Sequence, residues 1–204
     1  MEKILILGMG GHAKSIIDAI ERENKYEIAG YVVNECIDKV CDKKYPVLGK
    51  DDDLSELFQQ GIHNAAVGVG FLGESNLRKR LYKKLKDIGY NLPVICDPTA
   101  IIASDVSVGD GTFIGKGAIL NRDSQIGKMC IINTAAIVEH DCQVGDFSHI
   151  SVGTVLCGNV LVGTASFIGA NATVIQGRMV ENGCIVGAGE VIRKNVMNGK
   201  GKNE

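Results

Sequence analysis

The chain has 204 residues, enough for one large domain or two small ones. It is 45% hydrophobic with a formal net charge of -2, which fits a soluble globular protein and gives no electrostatic reason to expect a nucleic-acid partner. Glycine is abundant (26 residues) while proline is scarce (3), a balance that points to many tight turns rather than disorder or collagen.

The opening MEKILILGMGGHAKS holds a short apolar run, Lys3–Gly8, that reads as a buried strand and not as a signal peptide. No segment reaches the roughly 18 apolar residues that span a bilayer, so no membrane span and a cytoplasmic location are expected. After the strand comes Gly8-Met9-Gly10-Gly11-His12-Ala13, a match to GxGxx[GA], then an amphipathic helix with Ile16, Ile17 and Ile20 on one face. Such a turn lets backbone N–H groups approach a phosphate at a helix N-terminus. It also serves simply to pack a helix on a strand, and the motif alone leaves both readings open. A second strand, Tyr26–Val33, ends in Val33-Asn34 with no acidic residue to hold a ribose until Glu35, which favours a nucleotide-containing ligand over a redox dinucleotide.

Further along, DDLSELFQQG suggests a short helix, HNAAVGVG a third strand, and SNLRKRLYKKLKDIG a long helix closed by Gly89, with the run Arg78–Lys86 as a solvated face. Strands alternating with helices imply a small parallel α/β domain of Rossmann-like type over residues 1–95. CDPTAI leads into the second domain, residues 96–204.

That second domain carries an internal repeat. Every sixth residue from Ile102 to Ile192 is Ile, Leu or Val, sixteen times without an insertion. The residue two before is usually small (Thr112, Ala118, Ser124, Cys130, Ala136), and the residue after is often Gly or Asn (Gly109, Gly115, Asn121, Gly127, Asn133). A period of six fits neither a helix nor a plain amphipathic strand. It fits a coil with three short strands per 18-residue turn, the aliphatic residue stacked inside, the small residue beside the bend, and Gly or Asn relieving the backbone there. Such hexapeptide coils are left-handed parallel β-helices. The seven cysteines form no CxxC pair. They are expected to be reduced, with Cys130, Cys142 and Cys184 as packing residues, and no metal site is expected.

The combination of ILGMGGHAKSIIDAI with an uninterrupted coil containing INTAAIVEHDCQVGDFSHISVG resembles the hexapeptide-repeat sugar acetyltransferases of bacterial glycan synthesis. These comprise the PglD-type N-acetyltransferases of UDP-4-amino sugars and the NeuD-type sialic-acid O-acetyltransferases. The resemblance covers nearly the whole chain. It implies an acetyl-CoA-dependent enzyme, with His140 as catalytic base, Asp141 raising its basicity, and Gly158 offering a backbone N–H to the thioester oxygen. It implies that His149, Ala170 and Ala188 contact acetyl-CoA, and that Gly10, Gly11, His12 and Gly68 contact a nucleotide sugar. Two departures stand out. The family's paired Asp residues at the end of strand two are here Val33 and Asn34. Its closing Gly-x-Pro-Ala segment is here RKNVMNGKGKNE, whose basic residues Arg193, Lys194, Lys200 and Lys202 are candidates to cover CoA instead.

The chemistry supports these roles from below. Acetyl transfer needs a base, a donor for the developing oxyanion and close alignment, and a histidine beside a carboxylate is suited to the first task near neutral pH. Residues 18 apart stack on successive turns, which sets Gly158 one strand spacing, about 4.8 Å, from His140. His149 lies half a turn away. Both histidines touch one CoA only where two subunits meet, so a homotrimer with an interfacial site is expected, as the resemblance also implies. The leading function is N-acetylation of a nucleotide-linked 4-amino sugar. O-acetylation of a sialic acid or related hydroxyl uses the same base. A non-catalytic trimeric scaffold binding a sugar nucleotide, and an NAD(P) oxidoreductase, have less support.

Overall fold

The computed structural model describes residues 1–34, 44–71 and 76–198. Glu35, Cys36, Cys41, Lys200 and Lys202 lie outside them. The chain divides into two compact units, one formed by Met1–Gly70 with Asn76–Pro98, the other by Phe71 and the chain from Thr99 onward. Among the described residues, no helix is long and apolar enough to cross a membrane.

The first unit contains β1 (Glu2–Leu7), α1 (Gly11–Glu23), β2 (Tyr26–Val32), β3 (Val47–Gly49), α2 (Leu54–Gln59), β4 (Asn64–Val67) and α3 (Asn76–Ile88). The four strands are parallel in the order β3-β2-β1-β4. Strand β1 has a neighbour on each side, and its Ile4, Leu5 and Ile6 are fully buried, as the unbroken apolar run requires of a central parallel strand. Helix α1 turns Ile16, Ile17 and Ile20 into the core. The three-residue β3 has no alternation from which the sequence could have predicted it. The Arg78–Lys86 run is not uniformly solvated: Arg78 is buried, and its guanidinium donates to the carbonyls of Val67 and Val69 at the end of β4. A buried cation needs such acceptors, and a charge run in the sequence does not reveal them.

The second unit is the left-handed parallel β-helix. Its two-residue strands run from Ile101–Ile102 to Val191–Ile192. On each of three faces the parallel pairing advances by eighteen residues, as in Ile137↔Val155 and Val155↔Thr173. The aliphatic series fills the prism, with Ile114, Leu120, Ile132, Val138, Ile150, Leu156, Ile168 and Val174 fully buried.

The corners work differently from the sequence expectation. The left-handed backbone does not fall on the Gly or Asn after the aliphatic residue. It falls two residues later, at Asp123, Met129, Ala135, Asp141, Phe147, Asn159, Ala165 and Asn171, with φ between 55° and 61°. The glycine after the aliphatic residue is instead demanded by close approach. A Cβ on Gly145 would lie 2.6 Å from Thr164 N, and one on Gly109 2.6 Å from Lys128 N, in the next coil. The small residues also do more than fit. Thr112, Ser148, Thr154 and Ser166 donate their hydroxyls to carbonyls fifteen residues ahead at 2.8–2.9 Å, and so satisfy buried acceptors at the bends. Cys130, Cys142 and Cys184 occupy the same class of position and are buried, with Cys130 Sγ donating to Gly145 O at 3.2 Å and Cys142 Sγ to Cys157 O at 3.1 Å.

Candidate active site

His140 sits at the corner after the strand Ile137–Val138, and the left-handed residue of that corner is Asp141, φ 60°. Aspartate tolerates this conformation better than most side chains. His140 Nδ1 and Asp141 Oδ2 lie 2.8 Å apart, with both side chains more than half exposed. A carboxylate can only accept, so Nδ1 carries the proton and the neutral ring presents its Nε2 lone pair outward. The His140 backbone N–H donates to Glu139 Oε2 at 3.3 Å. The hydrogen bond to Asp141 holds the imidazole pKa above its ordinary value of 6.5. Desolvation opposes that rise, and the charges of Asp141 and Glu139 add to it.

Gly158 lies one coil on, directly against the imidazole: a Cβ there would stand 2.6 Å from both Cε1 and Nε2 of His140. The corner is locked from both sides, with Asp141 N–H donating to Arg122 O and Asn159 N–H to His140 O. The first N–H of each corner is left over by the strand ladder. At Lys128, Thr134 and Thr164 it donates to the side chains of Asp146, Asn133 and Asn182. Among the described residues, the Gly158 N–H has no such acceptor. An outward base nitrogen and an unclaimed N–H donor therefore share one corner.

The other predicted residues fall elsewhere. His149 opens the strand His149–Ile150 on a different face, and it is buried. Its Nδ1 lies 2.7 Å from Phe71 O and its Nε2 3.1 Å from Asn133 Nδ2. A carbonyl accepts and an amide N–H₂ donates, so His149 is the neutral Nδ1–H tautomer with both nitrogens engaged inside the unit. Asn133 cannot reverse its amide, because its Oδ1 already accepts from Thr134 N–H. Phe71 and Asn133 were not singled out by sequence. Asn133 occupies the ordinary corner class, and Phe71 is 78 residues from its histidine. Ala170 and Ala188 stack one coil apart at a second corner, where Gly189 N–H donates to Ala170 O.

In the α/β unit, Gly10 is the N-cap of α1 with no side-chain cap, and a Cβ on Gly10 or Gly11 would meet nothing within 4 Å. The packing glycine is Gly68, where a Cβ would lie 2.7 Å from Ala13 Cβ. His12 is half-buried in the first turn of α1. At the end of β2, Asn34 Nδ2 donates to Asp51 Oδ2 at 2.9 Å and Asn34 Oδ1 accepts from Asp51 N–H. This pair returns a carboxylate to the position where the sequence lacked one, from seventeen residues away.

Residues 3–85 match the model of the PglD N-terminal domain. The structure is similar to PerB of Caulobacter crescentus, solved with CoA and GDP-perosamine, at 34% identity over 96% of this chain and 91% of that one, TM-score 0.89. The chain belongs to the PglD-type hexapeptide-repeat sugar N-acetyltransferases. It is also similar to the acetyltransferase domain of PglB from Neisseria gonorrhoeae (29% identity, 98% of this chain, 95% of that one, TM-score 0.87), a domain solved with acetyl coenzyme A as well. In two further structures of the Caulobacter GDP-perosamine N-acetyltransferase, one histidine is replaced by alanine or asparagine. No curated protein sequence matches significantly. As a member of this family the protein is an acetyl-CoA-dependent acetyltransferase.

Proposed function

We propose that the protein transfers the acetyl group of acetyl-CoA to the amino group of a nucleotide-linked 4-amino sugar, with His140 as general base. The observation that carries this reading is the seating of the Asp141-oriented imidazole against the unclaimed N–H of Gly158. In the proposed step, His140 Nε2 takes a proton from the sugar amine as its nitrogen bonds to the thioester carbon. The oxygen that becomes anionic accepts from Gly158 N–H. The carbon–sulfur bond then breaks, and the imidazolium returns the proton to the departing thiolate. Asp141 holds the ring in the correct tautomer and stabilises its charge.

The α/β unit is assigned to the acceptor. The open Gly10–Gly11 turn suits a diphosphate, His12 and Gly68 flank it, and Asp51 supplies a carboxylate for the nucleoside. Ala170 and Ala188 offer a smooth corner to the CoA arm. His149, with its nitrogens engaged, supports that wall rather than hydrogen-bonding the cosubstrate through its ring. Because His140 and the alanine corner lie on different edges of the coil, one CoA reaches both only between two copies, and a homotrimer is proposed. The face next to His140, with Gln143, Leu161 and Met179 outward, carries a groove of about 770 Å3 that a neighbouring copy would cover.

The test is CoA release from acetyl-CoA with UDP- and GDP-linked 4-amino sugars and with sialic acid, for wild type and His140→Ala. Turnover with an amino-sugar nucleotide and a loss of roughly 10²–10⁴ in the variant are expected. No turnover with any amino-sugar nucleotide, or a variant within a few-fold of wild type, would overturn the reading. Light scattering checks the trimer.

A further inference from the structure

The segment that follows β4 has no regular structure of its own. Gly68 N–H donates to Leu7 O at 2.8 Å, and residues 69–71 then belong to neither helix nor strand. Two contacts hold the start of this segment inside the α/β unit. Arg78, in the first turn of α3, donates its guanidinium to the carbonyls of Val67 and Val69. Gly68 packs so closely on Ala13 that a Cβ would not fit. Gly70 is different: it is exposed, and a Cβ there would meet only His12 Cβ, at an ordinary 3.8 Å. Its smallness is not required by packing, and it leaves open space beside the Gly10–Gly11 turn. Two glycines among three residues give up much conformational freedom when ordered, so the order of Gly68–Gly70 depends on how its ends are held.

The far end is held by the very next residue. Phe71 belongs to the β-helix unit, and only 2% of it is exposed. Its carbonyl accepts from His149 Nδ1–H at 2.7 Å. Its ring meets Phe167 edge-on, with centroids 6.3 Å apart and planes at 82°. His149 packs on the same Phe167 ring at 5.2 Å. Asn133 holds the other imidazole nitrogen and is itself fixed by Thr134 N–H. A buried aromatic ring and a hydrogen-bonded carbonyl therefore seat one residue firmly, one peptide bond beyond Gly70. Without that seat the segment would have to be ordered when a ligand binds, and fixing even one freed residue costs about tenfold in affinity.

We propose that Phe71 is a positioning residue for the acceptor: seated on His149 and Phe167, it holds Gly68–Gly70 in place as the wall beside the Gly10–Gly11 turn. The proposal rests on the reading of that turn as the site of the acceptor's diphosphate. The test is calorimetric titration of the full chain with GDP and with UDP, together with KM measurements, for wild type and three variants. Phe71→Ala removes the anchor, and Phe71→Leu keeps an apolar plug in its place. A two-glycine insertion after Gly70 leaves Phe71 seated but slackens the segment, at little cost to the fold. Phe71→Ala and the insertion are expected to weaken binding of whichever diphosphate the wild type holds by about tenfold or more, and to raise the KM for the sugar nucleotide likewise. Phe71→Leu should recover most of the loss. The insertion should leave the melting temperature and the KM for acetyl-CoA unchanged. Unchanged nucleotide binding in the insertion variant overturns the proposal even where Phe71→Ala is impaired, because a ring that only fills the core would give that result. A wild type that binds neither diphosphate overturns the acceptor reading itself, and the proposal with it.

Discussion

Replacing Gly158 by alanine adds one methyl group where the structure has room for none. The new carbon would stand 2.6 Å from Cε1 and Nε2 of His140 and 3.3 Å from Cδ2. Carbon contacts are comfortable at about 3.5 Å or more, so the imidazole must withdraw by about 1 Å. That movement stretches the 2.8 Å contact between Nδ1 and Asp141 Oδ2 beyond hydrogen-bonding distance. The backbone itself accepts alanine, because Gly158 is not among the residues with positive φ. The fold should therefore lose less than about 1 kcal/mol, partly offset by a stiffer unfolded chain. Alanine keeps the N–H that would receive the oxyanion. The expected result is a fall of roughly 10²-fold in kcat/KM, the scale of a 1 Å misplacement in an aligned site. CoA release is the assay, with circular dichroism to confirm folding. Because the damage runs through the ring, adding Gly158→Ala to His140→Ala should cost little more than His140→Ala alone. A folded Gly158→Ala enzyme within threefold of wild type would refute the reasoning. So would full additivity of the two changes.

Asp141→Asn removes the largest cause of the raised His140 pKa. The base works neutral, so wild-type activity should fall as pH drops through a value above 6.5, and in the variant this acid limb of kcat/KM should move to lower pH; an unmoved limb would argue against His140 as the titrating base. His149→Ala leaves the Phe71 carbonyl and the Asn133 amide without their imidazole partner, and should destabilise the protein by about 1–3 kcal/mol in urea unfolding; an unchanged unfolding midpoint would count against a structural role for the ring. Gly11→Ala meets no protein atom within 4 Å and lies in the first turn of α1, so the melting temperature should hold or rise, while the KM for the sugar nucleotide increases and that for acetyl-CoA does not. A loss of thermal stability with unchanged KM would make Gly11 a packing residue.

The hexad count alone determined the coil, its eighteen-residue turn and the stacking of Gly158 on His140, because a period repeated without insertion leaves no freedom in register. Residues adjacent in sequence were equally legible: His140 and Asp141 are neighbours, and their pairing needs only the local turn. The apolar run of β1 and the spacing of Ile16, Ile17 and Ile20 likewise fixed strand and helix. What sequence missed depends on contacts between distant segments. The glycines after Val108, Ile114, Ile126, Val144, Val162 and Ile168 looked like turn residues, but they are small because the next coil's backbone lies 2.5–2.9 Å from where a Cβ would be. Asp51 reaches the end of β2 through Asn34, Arg78 is buried against the carbonyls of β4, and His149 is held by Phe71 and Asn133. Each of these is decided by which acceptor or donor a buried or paired group finds in space, and no periodicity records that choice.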